Sequence, residues 1–537
     1  MNIDYKRKQI LVVDDFPEMR SSLRRMLENY GAQNIIESRS GKEAMGHIEK
    51  KAFDLILCDY NLGEGKNGQQ ILEEAKQRGF LQYTTVFMMI TAETTVSMVM
   101  GAMEHEPDGY LTKPFNKSVL KARLDKLIEK KAEFAAVEQA MKNENYPKIL
   151  ALCDDQIQKE SKYKLDFLRI KSDVLLKTGE FKKVAELFQS LITLHNIPWA
   201  KLGLGRIYYN NKDFLQAKDS FQALVQEHKN YIPGYDWLAK TLEAMENLEE
   251  AKTVLRTALD LSPNALMRHK QLADIAYKSQ DLDLTEKSLR AVVKYGKNSC
   301  YKSTQHYSQL AKVMSENNNS LEALKLIHEA QKEFGNDQQS CLEFTITQSV
   351  VYKNMGKETE SKQSLGEAIK IVNGMTSKMA INTCLDFAKL CFELGNDAKG
   401  QELMQSMIRE NIENEDIMNK AQKLYATVGK NDEGSALIAD IKSQVDHINR
   451  EGVRLATEGK LEEAINLFEK ALKGLPNNMA ISLNVAQALL LHLQKNGKQE
   501  IMLAKASNYL NKVKEINPAN TRFQQLFTMY KQVAGGN

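Results

Sequence analysis

DLILCDYNLGEGKNGQQIL (54–72) joins a run of apolar residues to an amphipathic one, with Gly63, Gly65 and Gly68 between them. The spacing Gly-x-Gly-x-x-Gly between a strand and a helix is the surface pattern of a dinucleotide-binding loop. The same stretch sets Asp59 at the end of the strand. The loop therefore either cradles a bound phosphate or lies beside a carboxylate that accepts one. A dinucleotide loop belongs after the first strand of its unit, with an acid about 20 residues on, at the end of the next strand. Here the next strand, TVFMMI (85–90), runs into Thr91, and no acid stands at that place. The glycines are read more simply as turn residues beside Asp59.

Outward from this stretch, residues 1–128 alternate short apolar runs with helical patterns. The runs are QILVV (9–13), NIIES (34–38), DLILC (54–58), TVFMMI (85–90) and DGYL (108–111). The first helical pattern has Pro17 near its start and Gly31 just past its end, the usual punctuation of a helix. Strands alternating with helices predict an α/β domain: a doubly wound, five-stranded parallel sheet covered on both faces. The central runs are continuously apolar, as burial on two faces requires.

In such a sheet ligands bind beyond the carboxyl ends of the strands. Asp14 and Asp15 follow the first run, Asp59 the third, Thr91 the fourth, and Lys113 the fifth. Two unit charges 4 Å apart repel by about 4 kcal/mol at an effective dielectric near 20, so gathered carboxylates call for a cation. Oxygen-only ligands with room for water and phosphate oxygens suit Mg²⁺. A nucleophilic carboxylate, a divalent ion, an ammonium and a hydroxyl together can stabilise a phosphoryl group in transfer.

The ordered set LVVDD, LCDY, MITA and YLTKPF resembles the receiver domain of bacterial two-component response regulators, over roughly residues 8–128. The resemblance implies a flavodoxin-like fold with Asp59 as phosphoacceptor. It implies Mg²⁺ held by Asp14, Asp15, Asp59 and the backbone carbonyl of Asn61. Thr91 and Lys113 would contact the phosphoryl oxygens, Tyr110 would be the aromatic switch, and Lys113-Pro114 would be cis. The donor would be a histidine kinase or phosphotransfer protein, and a receiver-mediated dimer stays open. One departure is visible. The family commonly has Met-Pro and then Gly soon after the acceptor, whereas NLGEGKNG is glycine-rich and one residue longer.

Residues 129–537 carry no strand signal and read as helix upon helix. SVLKARLDKLIEKKAEFAAVEQAMKN (118–143) has no breaker, so the last helix of the first domain is expected to run nearly straight into the array. Leu204-Gly205, Leu238-Ala239 and Leu272-Ala273 recur at intervals of 34, as do Ala217 and Ala251. That is the period of a paired-helix repeat, and YDWLAKTLEAMENLEEAKTVLRTALDLSP (235–263) resembles the tetratricopeptide repeat (TPR). INREGVRLATEGKLEEAINLFEKALKGLP (448–476) does as well. The expectation is an all-α TPR superhelix of about ten to eleven pairs, degenerate around 340–440, presenting a groove for a protein or peptide partner.

The bulk numbers bound the function. Lys+Arg number 73 against Asp+Glu 70, so nothing draws the chain as a whole to nucleic acid or an anionic membrane. No run of about 18 apolar residues predicts membrane insertion, and the N-terminal apolar run is too short for a signal peptide; the expected location is cytoplasmic. Six dispersed cysteines form no CxxC pair, and nine histidines form no metal cluster. No catalytic motif follows residue 130, so the chain is read as a response regulator rather than an output enzyme. The alternatives are a constitutive TPR scaffold whose receiver serves for docking, and a phosphate sink for a kinase.

Overall fold

The computed structural model describes residues 3–92, 100–101, 104–335, 337–497, 499–518 and 520–535. Five parallel strands form one sheet in the order β2-β1-β3-β4-β5: β1 (Gln9–Val13), β2 (Asn34–Ser38), β3 (Leu55–Asp59), β4 (Val86–Thr91) and β5 (Gly109–Thr112). β3 and β4 are buried along their whole length. Alternate residues serve opposite faces, as the pleat dictates. Leu11, Val13, Ile56, Cys58, Phe87 and Met89 pack on one side; Ile10, Val12, Leu55, Leu57, Met88 and Ile90 pack on the other.

Helices α1 (Pro17–Asn29), α2 (Gly41–Lys50) and α3 (Gly68–Gln77) cross over between strands. Pro17 opens α1, and Ser40 caps α2 through the Glu43 amide. Asn67 and Gln70 form a reciprocal capping box on α3, which satisfies two amides that the helix cannot pair internally. The helix expected between β4 and β5 lies mostly outside the described residues. The next helix, Lys117–Ala132, stops at Glu133 and Phe134 and a new one begins at Ala135. The predicted near-continuity into the array is therefore present, broken by a short kink around the buried ring of Phe134.

From Ala135 to Gly535 helices succeed one another, and no strand occurs among the described residues. The small and large positions of the 34-residue pattern are core positions: Ala217, Phe221, Ala239, Ala251, Leu255 and Ala258 are all fully buried. A Cβ on Gly205 would stand 2.5 Å from the Phe221 ring, and one on Gly452 2.2 Å from the Phe468 ring. These glycines let the aromatic ring of the paired helix lie against bare backbone. In one place the period is hidden. Asn431–Thr457 is a single 27-residue helix, because no breaker stands between Gly434 and Gly452. The repeat expected to begin near Ile448 therefore starts inside a helix already under way.

By packing, the chain divides into two compact units, Met1–Ala323 and Leu324–Asn537. The first holds the sheet together with the helix pairs up to Ala323. The second has its own core, including Phe387, Met404, Ile441, Phe468, Leu489 and Leu510. Cys384 and Cys391 sit in that core as free thiols. No described helix is long and apolar enough to cross a membrane.

Candidate functional site

The strand order reverses between β1 and β3, and this is where the acids converge. Val13 on β1 is in register with Cys58 on β3, so Asp14 and Asp59 leave adjacent strands side by side. Carboxylate oxygens of Asp14, Asp15 and Asp59 all lie within 4.8 Å of one another. Lys113 reaches in from the loop after β5: its Nζ stands 2.9 Å from Asp14 Oδ2 and 3.0 Å from Asp59 Oδ2. Lys113-Pro114 is cis, as the resemblance implied.

Each acid is held differently. Asp14 is fully buried, and its Oδ1 accepts from the Phe16 amide at 2.9 Å. Asp59 is 6 % exposed. Burial pushes its carboxyl up to about 6; the Lys113 ammonium opposes this and the Asp14 charge adds to it. Lys113 loses from burial, but its bonds to Asp14 and Asp59 leave its ammonium more strongly protonated than usual. Burial pushes the Cys58 thiol, fully enclosed beside Asp59, upward, and the Asp59 and Asp14 charges add to this.

The remaining predicted residues surround this centre. Thr91 ends β4 and is buried, and its carbonyl accepts from the Lys113 amide at 2.7 Å. Tyr110 lies on β5 opposite Met89 and is half-buried. Asn61 is exposed in the loop after β3. The glycines that raised the question of a nucleotide have local reasons. A Cβ on Gly68 would come within 2.2 Å of the Asp59 carbonyl oxygen, and Gly63 has φ +68 with Asp15 Oδ2 only 3.3 Å from where its Cβ would be. Gly63 and Gly68 lie too close to these acids for a side chain, whereas Gly65 faces open space and takes φ +103.

Asp15 Oδ1 is buried and has no hydrogen-bond partner. A buried carboxylate oxygen left without a donor is costly. An oxygen-only set with one lone pair unsatisfied fits a hard divalent cation. Asp14, Asp15 and Asp59 are the residues that would hold it.

Sequence reasoning missed a second polar cluster in the same compact unit. Arg268, on helix Leu266–Lys278, is buried and bonds both Asp236 and Glu104. The available signal was position: Arg268 falls on the stripe that Leu272 and Ala276 bury, where an arginine needs a built partner.

Comparison with known proteins finds the same two parts, a receiver and repeats. The profile of the response regulator receiver domain matches residues 10–125, and tetratricopeptide repeat profiles match 199–231 and 232–265. Chemotaxis protein CheY-3 of Vibrio cholerae is 34% identical over 125 residues, covering 23% of this chain and 95% of that protein. Chemotaxis protein CheY of Pseudomonas aeruginosa is 31% identical over 122 residues, covering 23% of this chain and 97% of its own length. Among solved structures, the TPR protein YrrB matches 35% of this chain and 94% of its own, at 16% identity and a TM-score of 0.31. The chain belongs to the response regulator family, carrying a receiver domain over residues 10–125 with tetratricopeptide repeats behind it.

Proposed function

We propose that Asp59 accepts a phosphoryl group from a histidine kinase or phosphotransfer protein, and that this modification controls a protein-binding output formed by the repeats. The observation that carries the proposal is the cage of three carboxylates within 4.8 Å, with Lys113 bonded to two of them. We divide the labour at residues 128/129: the sheet and its helices receive the signal, and residues 129–537 bind the client. The protein works in the cytoplasm and has no enzymatic output of its own.

An Asp59 carboxylate oxygen attacks phosphorus, an O–P bond forms, and the P–N bond to the donor imidazole breaks. The electron pair leaves on the imidazole nitrogen, which takes up a proton. Asp14, Asp15, Asp59 and the Asn61 carbonyl would hold Mg²⁺, which would supply positive charge to the phosphoryl group. Lys113 supplies a fixed charge for the same oxygens and Thr91 a hydroxyl. The product brings about −1.5 to −2 charge into a site whose balance is set by one ammonium. Thr91 reorients toward it and Tyr110 follows inward, which passes the change to the surface.

The test uses the full chain with a small-molecule phosphodonor and Mg²⁺. The wild type gains an alkali- and hydroxylamine-labile phosphate and changes what it captures in a pull-down; Asp59→Ala does neither. A wild type that never becomes phosphorylated overturns the proposal. Unchanged capture on a phosphorylated protein favours the scaffold reading, and fast turnover without any change in capture favours the sink.

A further inference from the structure

The repeats of the first compact unit contain a carboxylate-binding site, and the receiver's own Glu104 fills it. Arg268 is its centre. Asp236, on the preceding repeat's helix Ile232–Ala244, accepts from Arg268 Nε at 2.7 Å and from Nη2 at 3.0 Å. This two-point grip fixes the plane of the guanidinium and balances its charge. Arg268 Nη2 also donates to Glu104 Oε1 at 2.6 Å, and Ser262 Oγ donates to Glu104 Oε2 at 2.7 Å. The two oxygens of one carboxylate thus meet two donors, both supplied by the repeats.

Nothing in that pair of donors depends on the receiver. Asp236 orients Arg268, and Ser262 is held in the turn just after helix Leu248–Leu261, its amide donating to the Ala258 carbonyl. If Glu104 withdraws, Asp236 still holds the plane of Arg268, and Ser262 Oγ loses its acceptor. A site oriented before its ligand arrives binds with little further ordering cost.

The surroundings extend the same chemistry. A cavity of about 640 Å³ lies beside Arg268, and its repeat-side lining includes Lys270, Lys294 and Asn298. Asp274 also lines it, and Asp236 is already committed to Arg268. The receiver contributes Glu73 as well as Glu104, so it presents an acidic edge to a more basic wall. A second contact closes the far side: Asn298 Nδ2 donates to the Gly65 carbonyl at 2.9 Å. Gly65 belongs to the lengthened loop after Asp59, and Glu104 to the segment after Thr91. At the same cavity Gln70 Nε2, on α3, donates to the Tyr295 carbonyl at 3.2 Å; the Gly65 and Glu104 contacts come from the stretches that follow the phosphoacceptor and its neighbouring hydroxyl.

We propose that this repeat surface is the docking site for an acidic protein segment, whose carboxylate takes the place of Glu104 between Arg268 and Ser262, and that the receiver blocks the site in its present position. The inference names the partner chemistry of the repeats and rests on the reading that they bind protein. It does not require that Asp59 be the acceptor.

The experiment measures fluorescein-labelled hexaglutamate binding to the full chain by anisotropy at low salt, without phosphodonor. Glu104→Gln should bind it about 10-fold or more tightly than wild type, a change of about 1.4 kcal/mol. Adding Arg268→Lys, which keeps charge but loses the planar fork, or the milder Ser262→Ala, should remove that gain. Hydrogen exchange should show residues 104–106 opening in Glu104→Gln while residues 262–270 keep their protection and the melting temperature of the chain holds. Equal affinity in wild type and Glu104→Gln, absence of binding to both, or a gain indifferent to Arg268 and Ser262 would each overturn the inference. A parallel arm with phosphodonor and Mg²⁺ tests the function reading separately: if wild type stays unphosphorylated there, that reading fails while the hexaglutamate result still stands.

Discussion

Lys113 Nζ lies 3.0 Å from Asp59 Oδ2, while the same ammonium stands 2.9 Å from Asp14 Oδ2. One cation thus bridges acids from two neighbouring strands, and Asp59 keeps an oxygen for chemistry. Replacing Lys113 with Ala leaves Asp14 and Asp59 to repel each other. We expect Lys113→Ala to slow phosphorylation by small-molecule donor about 100-fold, the scale seen when one stabilising donor is removed. Phosphate incorporation over time, on protein shown to be folded by circular dichroism, checks this.

Asp15 offers the orphaned oxygen of the cage. Asp15→Asn keeps its shape and removes a charge, so Mg²⁺ affinity should fall about 10-fold or more, given the preference of the ion for carboxylates. Isothermal titration with MgCl₂ measures the change. An unaltered affinity would place the ion elsewhere.

Gly68 is the residue that lets α3 start against the Asp59 carbonyl. A methyl there meets backbone at 2.2 Å, and backbone cannot rotate away. Gly68→Ala should cost about 1–3 kcal/mol, the usual range for overpacking, and should displace Asp59 as well. A lowered melting temperature together with slowed phosphorylation is the expected pair. A lowered melting temperature alone would separate the packing role from the site.

Phe221 tests the repeat core without touching the site. It is fully buried between helix pairs, and Phe221→Ala should destabilise the first compact unit by about 3–5 kcal/mol. Thermal melting should show the loss, and phosphorylation measured well below the transition should be retained.

Glu73 makes a pH prediction. Burial, and secondarily the Glu104 charge, push its carboxyl up to about 7, against 4.5 for the unfolded chain. Between these values the folded chain holds the proton and the unfolded chain does not. Its contribution to stability is therefore present below about 4.5 and is lost as pH rises through about 7. Glu73→Gln removes the need to ionise in a buried place. It should raise the melting temperature at pH 8, by a gain of about 1–3 kcal/mol, and the difference from wild type should close at pH 4.5.

The receiver was legible because its signals are local. Continuous apolar runs marked buried strands, and Asp14, Asp15, Asp59, Thr91 and Lys113 each stand at or just past a strand end, where a parallel sheet collects its ligands. The repeats were legible where small residues recur at 34, as at Ala217 and Ala251. They were less so near Ile448, because a helix without a breaker carries its period past the repeat boundary. Arg268 was passed over because a charged residue among solvated lysines and glutamates looks like one more exposed group until its neighbours are known.

The sequence by itself determined the layers, the acidic strand ends and the paired-helix array, since hydrophobic period and strand-end chemistry are properties of neighbouring residues. Tertiary structure alone decided that Glu104 meets Arg268 and Ser262, and that Gly65 meets Asn298. The physical reason is separation along the chain. These pairs stand 164, 158 and 233 residues apart, and no local pattern reports which helices of the first compact unit will lie against the receiver.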